Sequence, residues 1–298
     1  MFNKLSQTDK TKLKRKVKTT IKAITAALFV ILTLAITYLP NTPSWDDIYA
    51  AVGLKETKLG EIPLKDLTIV FLDVGQGDCE IIKTEDTSIL IDTGPSGNAQ
   101  KIRDALNALN IRELDYLIIT HQHDDHMGSL YDLRKLIKIN NEIIPDPSAK
   151  MAGLSLTLQA NENEELLLQF LAPIYVNDSL NNMSLVIKLT YKDTSFLFMA
   201  DAEEEEEGTL LRTYDAETLH ADVLKVGHHG SDSSSTKPFI DAVGAKYAVI
   251  SVGADNDYGH PSPEVLRNLA PAVIHRTDRD GTILLTTDGA TLTFHRLE

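Results

Sequence analysis

The sequence predicts an α/β fold. Short apolar runs of strand length recur from residue 66 onward, segments of helical spacing lie between several of them, and polar turns follow the run ends. Alternation of that kind presents chemistry where strands give way to loops. One stretch dominates: Thr120-His121-Gln122-His123-Asp124-Asp125-His126-Met127-Gly128 holds three imidazoles and two carboxylates in six consecutive residues. It follows the apolar run 114–119 and precedes a helix-like segment, 129–139, so it sits on a turn between a strand end and a helix start.

The spacing explains what such a cluster does. His121 and His123 alternate around one residue, so on extended backbone both rings face the same side. Past the turn, Asp125 and His126 aim at a second point nearby. Imidazole nitrogen and carboxylate oxygen are the ligands that Zn²⁺ and similar cations take. Two ligand groups a few ångströms apart suit a two-metal centre. Asp124 is the odd member, read as solvated or as a support behind the ligands.

Composition narrows the partners. Of the 298 residues, 43% are hydrophobic, enough for a sizeable core, and no composition shift divides the chain after residue 66. Residues 1–22 carry eight basic side chains against Asp9, so the rest of this chain of net charge −14 carries −21. A body that acidic repels polyanions at long range, which counts against tight nonspecific duplex binding. Cys79 is the one cysteine, so no internal disulfide exists; it is read as a small buried hydrophobe.

Residues 1–22 read as a basic cytoplasmic tail. Residues 23–39 are a charge-free apolar run close to the ~20 residues of a membrane-crossing helix. Basic residues before it orient the N-terminus inward and the body outward. We read it as an uncleaved single-pass anchor, with a cleaved signal peptide, and hence a secreted protein, as the rival. Residues 40–65 are a proline-punctuated linker, and 66–298 form one domain.

That domain opens with a strand at 67–72. The turn Val74-Gly75-Gln76-Gly77-Asp78 is no dinucleotide fingerprint: the third glycine is missing, and a second strand, 80–83, stands where a helix should start. A strand at 88–92 ends in Asp92-Thr93-Gly94. Ile102, Ala105, Leu106 and Leu109 give 99–109 helical spacing. After the cluster, strands are read at 154–158, 165–171 and, behind Asn181-Asn182-Met183-Ser184, at 185–191. The strand 195–199 delivers Asp201, and the acidic run 203–207 is read as a solvated helix N-terminus. The strand 223–226 leads into Gly227-His228-His229-Gly230-Ser231. Residues 247–251 are the last clear strand of the scaffold. The loop Asn256-Asp257-Tyr258-Gly259-His260-Pro261 follows, then a helix at 264–269 started by Pro263 and a hairpin around Asp288-Gly289. His220, His275 and His295 are read as structural.

His-x-His-x-Asp-His after a strand resembles the signature of the metallo-β-lactamase superfamily. Phe71-Leu72-Asp73-Val74-Gly75-Gln76-Gly77-Asp78, Ile91-Asp92-Thr93-Gly94, Met199-Ala200-Asp201-Ala202-Glu203, 224–231 and Tyr258-Gly259-His260-Pro261 stand in the order of one branch. Residues 66–298 resemble the extracytoplasmic hydrolase domain of ComEC-type competence proteins. The resemblance implies a four-layer αββα sandwich, here preceded by one transmembrane helix, and a centre for two divalent ions, Zn²⁺ or Mn²⁺. It implies Asp201 as the carboxylate shared by both ions. One of His228 and His229 would complete the second position while the other faces substrate; we assign His229 as the ligand. The ligand set is then His121, His123, Asp125, His126, Asp201 and His229. Asp73, Asp78 and Asp92 are expected to orient ligands from behind, with a turn-forming role open for Asp73 and Asp78 and hydrogen bonding to turn amides open for Asp92. Asn182, Ser184, Ser231 and Tyr258 are the expected substrate contacts.

One departure matters. Most superfamily members supply a further histidine between the first cluster and the shared aspartate, yet this chain has none from 127 to 219. Asn181, Asn182 and Ser184 stand there instead. The first position is left with His121, His123 and Asp201, and Mn²⁺ becomes a credible occupant. The implied activity is hydrolysis of phosphodiesters. Asp125 or Asp201 would orient the attacking water, His228 would offset phosphoryl charge, and His260 would donate to the leaving group. DNA outside the membrane is the first substrate. A cell-envelope phosphodiester such as phosphorylcholine on a wall polymer is the second. A non-catalytic membrane-tethered binding module is the third reading.

Overall fold

β1 (Leu67–Phe71) shows how the core is built. Leu67, Ile69 and Phe71 point into one apolar layer and Val70 into another, as the two-residue period of a strand requires. The computed structural model describes Leu59 and residues 65–297. The tail at 1–22, the apolar run at 23–39 and, Leu59 and Lys65 apart, the linker lie outside the described residues. Among the described residues no helix is long and apolar enough to cross a membrane.

From β1 the chain continues through β2 (Glu80–Lys83) and β3 (Ser88–Ile91). Helix α1 (Ala99–Ala108) carries it across to β4 (Glu113–Ile118), parallel to β3. Short helices α2 (Asp124–Met127) and α3 (Leu130–Leu136) then lead to β5 (Lys138–Ile143), parallel to β4. The second sheet begins with an antiparallel meander: β6 (Ser155–Asn161), β7 (Glu164–Ala172), β8 (Val186–Tyr191) and β9 (Thr194–Phe198). Helices α4 (Glu204–Thr213) and α5 (Ala216–Leu219) precede β10 (Val223–Lys225). Helix α6 (Lys237–Val243) leads to β11 (Tyr247–Ile250), and α7 (Pro263–Asn268) to β12 (Val273–Arg276). Strands β9 to β12 are parallel. After α8 (Thr277–Asp280), β13 (Ile283–Thr287) and β14 (Leu292–Arg296) return beside β1.

Two seven-stranded sheets result, ordered β14-β13-β1-β2-β3-β4-β5 and β12-β11-β10-β9-β8-β7-β6. Their facing sides share one apolar layer, in which the rings of Phe71 and Phe198 stack 6.2 Å apart. A second cluster joins the outer side of the first sheet to α1 and α3. A third joins the outer side of the second sheet to α4, α6 and α7. The layers therefore run helix, sheet, sheet, helix, the sandwich expected from the sequence. Each fully buried Leu, Ile or Phe contributes about 1.5–3 kcal/mol.

The parallel strands decide where the site falls. Asp92 follows β3, His121 follows β4, Asp201 follows β9 and Gly227–Gly230 follow β10. All are carboxyl ends of parallel strands, where open α/β sheets place ligands. Two strands were not anticipated from the sequence. β5 was expected to continue a helix, and β12 was not expected; both are sheet edges.

Candidate metal centre

Three loops and one short helix bring the six expected ligands together. The turn after β4 supplies His121 and His123, and α2 supplies Asp125 and His126. The end of β9 supplies Asp201, and the turn after β10 supplies His229. Their donor atoms form two groups that share Asp201: His121, His123 and Asp201, and then Asp125, His126, Asp201 and His229.

In the second group, His126 Nε2 lies 3.2 Å from Asp201 Oδ1, and His229 Nε2 lies 3.5 Å from that oxygen and 3.3 Å from Asp125 Oδ2. His126 Nε2, His229 Nε2 and Asp201 Oδ1 are buried and have no hydrogen-bond partner. Orphaned buried polar atoms cost about 1–3 kcal/mol each. Three of them converging on one point fit a divalent cation, which needs unprotonated nitrogen and oxygen donors.

The side chains behind these ligands are fixed. Asp92 is fully buried; it accepts from Thr120 N at 2.8 Å, from Thr120 Oγ1 at 2.6 Å and from His126 Nδ1 at 2.7 Å. That sets His126 with Nε2 toward the pocket. His229 Nδ1 donates to Ser251 O at 2.9 Å and lies 3.3 Å from Asp78 Oδ1. Asp78 Oδ2 accepts from Lys225 Nζ at 2.7 Å, a buried ion pair joining the two sheets. Burial pushes the Asp78 carboxyl up, but Lys225, His229 and His126 together more than reverse this and the carboxyl falls below its usual range. Gly77, at φ +149, lets this turn meet the histidine cluster: a Cβ there would stand 2.3 Å from Asp125 O.

The titration of the imidazoles separates the two groups. Burial pulls His229 down, but Asp201 and Asp78 outweigh it and raise the ring to about 10. His126 is raised in the same way by Asp201 and Asp92. His121 goes the other way, to about 3, because burial and then the neighbouring His126 prevail over Asp201.

The first group has different supports. His121 Nε2 lies 3.0 Å from His123 Nδ1 and 3.6 Å from Asp201 Oδ2. Behind His121 Nδ1 stand only hydroxyls, Thr120 Oγ1 at 3.3 Å and Ser184 Oγ at 3.4 Å.

The profile of the metallo-beta-lactamase superfamily matches residues 72–254, which contain all six of these residues. The chain belongs to the metallo-beta-lactamase superfamily. It is 32% identical over 249 residues to ComE operon protein 3 of Bacillus subtilis, covering 71% of this chain and 32% of that protein. It is 29% identical over 267 residues to competence protein ComA of Neisseria gonorrhoeae, covering 88% of this chain and 38% of the other. The chain thus spans about a third of the length of the curated relatives it matches. These matches agree with the resemblance to ComEC-type proteins. Among solved structures, the metallo-beta-lactamase fold protein YhfI of Bacillus subtilis aligns with a TM-score of 0.46 and 13% identity, over 76% of this chain and 99% of that one.

As in its superfamily, divalent-metal binding belongs to this pocket, yet several expected roles are placed differently here. Asp73 accepts from Gly75 N and lies 3.7 Å from Lys101 Nζ; it braces its own turn and orients no imidazole. Asn182 is buried and its Oδ1 accepts from Glu203 N. Ser184 is buried and its Oγ accepts from Asp201 N. Ser231 is buried against Ser233. All three are buried, and each accepts a hydrogen bond from a backbone amide, of Glu203, Asp201 and Ser233 respectively. Tyr258 is 71% exposed, with its ring stacked on His260 at 5.5 Å. Asp124 is exposed and accepts from Ser96, outside both groups. His220, His275 and His295 pair with Val243 O, the Phe294 ring and Thr286 Oγ1, away from the pocket.

Sequence reasoning missed Lys225 and Glu203. Lys225 had a signal, a lone charge inside an apolar strand, which is buried only when paired. Glu203 was hidden at the head of an acidic run.

Proposed function

We propose that the chain is a metal-dependent phosphodiesterase that acts on DNA at the outer face of a membrane. The observation that carries the hydrolytic part is the convergence of His126 Nε2, His229 Nε2 and Asp201 Oδ1, buried and unpartnered, on one point beside a second ligand group. His121, His123 and Asp201 would hold one ion, and Asp125, His126, Asp201 and His229 the other, Zn²⁺ or Mn²⁺. The ions supply Lewis acidity, lowering the pKa of water and offsetting charge on phosphoryl oxygens.

The remaining work belongs to the chain. Asp125, at the partly open side of the pocket, orients the attacking water. His228 Nε2, 3.8 Å from Asp201 Oδ2, faces the space that a phosphoryl oxygen would occupy. His260, its ring 5.8 Å from His228, stands at the mouth on the leaving-group side. Burial first, and His228 second, lower the pKa of His260, so near neutrality it offers one N–H for a hydrogen bond to the leaving oxygen. The names of the competence relatives support DNA as substrate. The N-terminal apolar run supports the membrane anchor, with the domain outside.

The strongly acidic domain supports a second reading, a small or zwitterionic phosphodiester of the cell envelope, which negative potential disfavours less than it does a polyanion. The full chain, supplied with Mn²⁺ or Zn²⁺, separates the two when offered single-stranded DNA and bis(p-nitrophenyl) phosphate. Cleavage of both is the expected result. Cleavage of the ester alone favours the envelope substrate, and metal binding without any turnover leaves a binding module.

A further inference from the structure

His228 is the site imidazole whose direction no ligand group explains. Its backbone is left-handed (φ 45, ψ 48), a conformation that side chains other than glycine's adopt only when surroundings enforce it. His228 N donates to Ala200 O at 2.8 Å, and His228 O accepts from Ser231 N at 2.8 Å, so the turn is tied on both sides. The ring remains partly open, with Nε2 toward the pocket.

Its other nitrogen is clamped. Nδ1 lies 3.1 Å from Ser233 Oγ and 3.4 Å from Glu203 Oε1, and Ser233 Oγ donates to Glu203 Oε1 at 3.0 Å. Glu203 precedes α4 but does not cap it with its carboxylate. Asn181 Nδ2 donates to the same Oε1 at 3.3 Å, Asn182 Oδ1 holds Glu203 N, and Glu204 N donates to Ser233 O at 2.8 Å. The carboxylate is thus fixed toward the pocket, where the sequence suggested a solvated charge. A carboxylate accepts and cannot donate, and the Ser233 proton is committed to it. Both oxygens nearest Nδ1 therefore call for an N–H on that nitrogen. A second proton on the ring can sit only on Nε2, pointing into the pocket.

We propose that Glu203 and Ser233 are positioning residues that clamp the Nδ1 edge of His228 and so aim Nε2 at the phosphoryl group of the substrate. The role rests on the phosphodiesterase reading; the clamp rests on geometry alone. Two measurements on the full chain keep them apart.

The first is the tautomer of the neutral His228 ring, from ¹⁵N chemical shifts of histidine-labelled protein, metal-free and zinc-loaded. The expected result is a proton on Nδ1, kept in Ser233→Ala, where the Glu203 carboxylate still accepts from it, and moving toward Nε2 when both acceptors are removed in Ser233→Ala/Glu203→Ala. A wild-type ring protonated on Nε2 overturns the clamp. The second is turnover of bis(p-nitrophenyl) phosphate. Ser233→Ala and Glu203→Gln are expected to lower kcat by roughly tenfold to a hundredfold, the range for partners that orient site imidazoles. Metal content should stay unchanged, and Ser233→Thr, which keeps the hydroxyl, should recover the rate. Equal kcat in wild type and Ser233→Ala overturns the role. A wild type that hydrolyses no phosphodiester overturns the reading and the role together, while the tautomer still decides the clamp.

Discussion

The two halves of the pocket share Asp201 and differ in what stands behind their imidazoles. In the half built on His126 and His229, carboxylates support the rings: Asp92 at 2.7 Å from His126 Nδ1, and Asp78, itself paired with Lys225, at 3.3 Å from His229 Nδ1. In the half built on His121 and His123, the supports of His121 are the hydroxyls of Thr120 and Ser184. A carboxylate behind an imidazole fixes its orientation and makes the opposite nitrogen a better donor. Asp201 first, with Asp92 and Asp78 adding to it, raises the pKa of His126 and His229 against burial, while burial and then His126 prevail at His121 and lower it. The difference teaches that one half is built to attract positive charge and the other only tolerates it. Metal titration is expected to show two steps, the tighter one at the His126–His229 half.

The largest effect should come from the residue common to both halves. Asp201→Asn is expected to remove both ions and lower phosphodiester turnover by about 10³-fold, the upper range for losing one main electrostatic stabiliser. Elemental analysis showing two ions still bound would refute the shared role. Next, Lys225→Met should cost about 3–5 kcal/mol in urea unfolding of the metal-free protein, because Asp78 is left buried and charged without its partner. Adding Asp78→Asn should recover part of that loss; no recovery would mean that Lys225 is not there to balance Asp78.

A more direct contrast follows from the supports themselves. Asp92→Asn should weaken the tighter step by about 10–100-fold, whereas Ser184→Ala should weaken the other step by less. Equal effects would dissolve the distinction between carboxylate and hydroxyl support.

The smallest effect is the pH profile of the chelator-treated protein. His121, depressed to about 3, contributes stability that is complete above its unfolded pKa near 6.5 and is lost as pH falls toward 3. The expected loss is about 1 kcal/mol between pH 6.5 and 5.5. His229, raised to about 10, contributes stability that is complete below 6.5 and is lost as pH rises through 10. Stability should therefore peak near pH 6.5, and a monotonic profile from pH 5 to 9 would contradict the opposite signs of the two rings.

Much of this was legible in the chain. β1 to β4 and β7 to β11 are apolar runs bounded by turn residues, and His121, His123, Asp125 and His126 lie within six residues. The strands that escaped, β5 and β12, are edges: Lys138–Ile143 and Val273–Arg276 are largely polar or exposed, because one neighbour and one layer suffice to hold them. The burial of Asn182, Ser184 and Ser231 was hidden for a related reason. A polar side chain beside a motif has the same letter whether it meets substrate or satisfies a buried amide, and only burial separates the two.

By itself the sequence determined the strand–turn–helix alternation, the family signature and the identity of the six candidate ligands, since these depend on local spacing and side-chain chemistry. Only the tertiary structure decided which groups stand behind them. Asp78 and Lys225 are 147 residues apart, Asp92 and His126 are 34, and Glu203 and Ser233 are 30. Spacing along the chain carries no information about such pairs: Asp92 meets His126 because β3 and β4 are neighbours in one sheet, Glu203 meets Ser233 because β9 and β10 are neighbours in the other, and Asp78 meets Lys225 because the two sheets pack face to face.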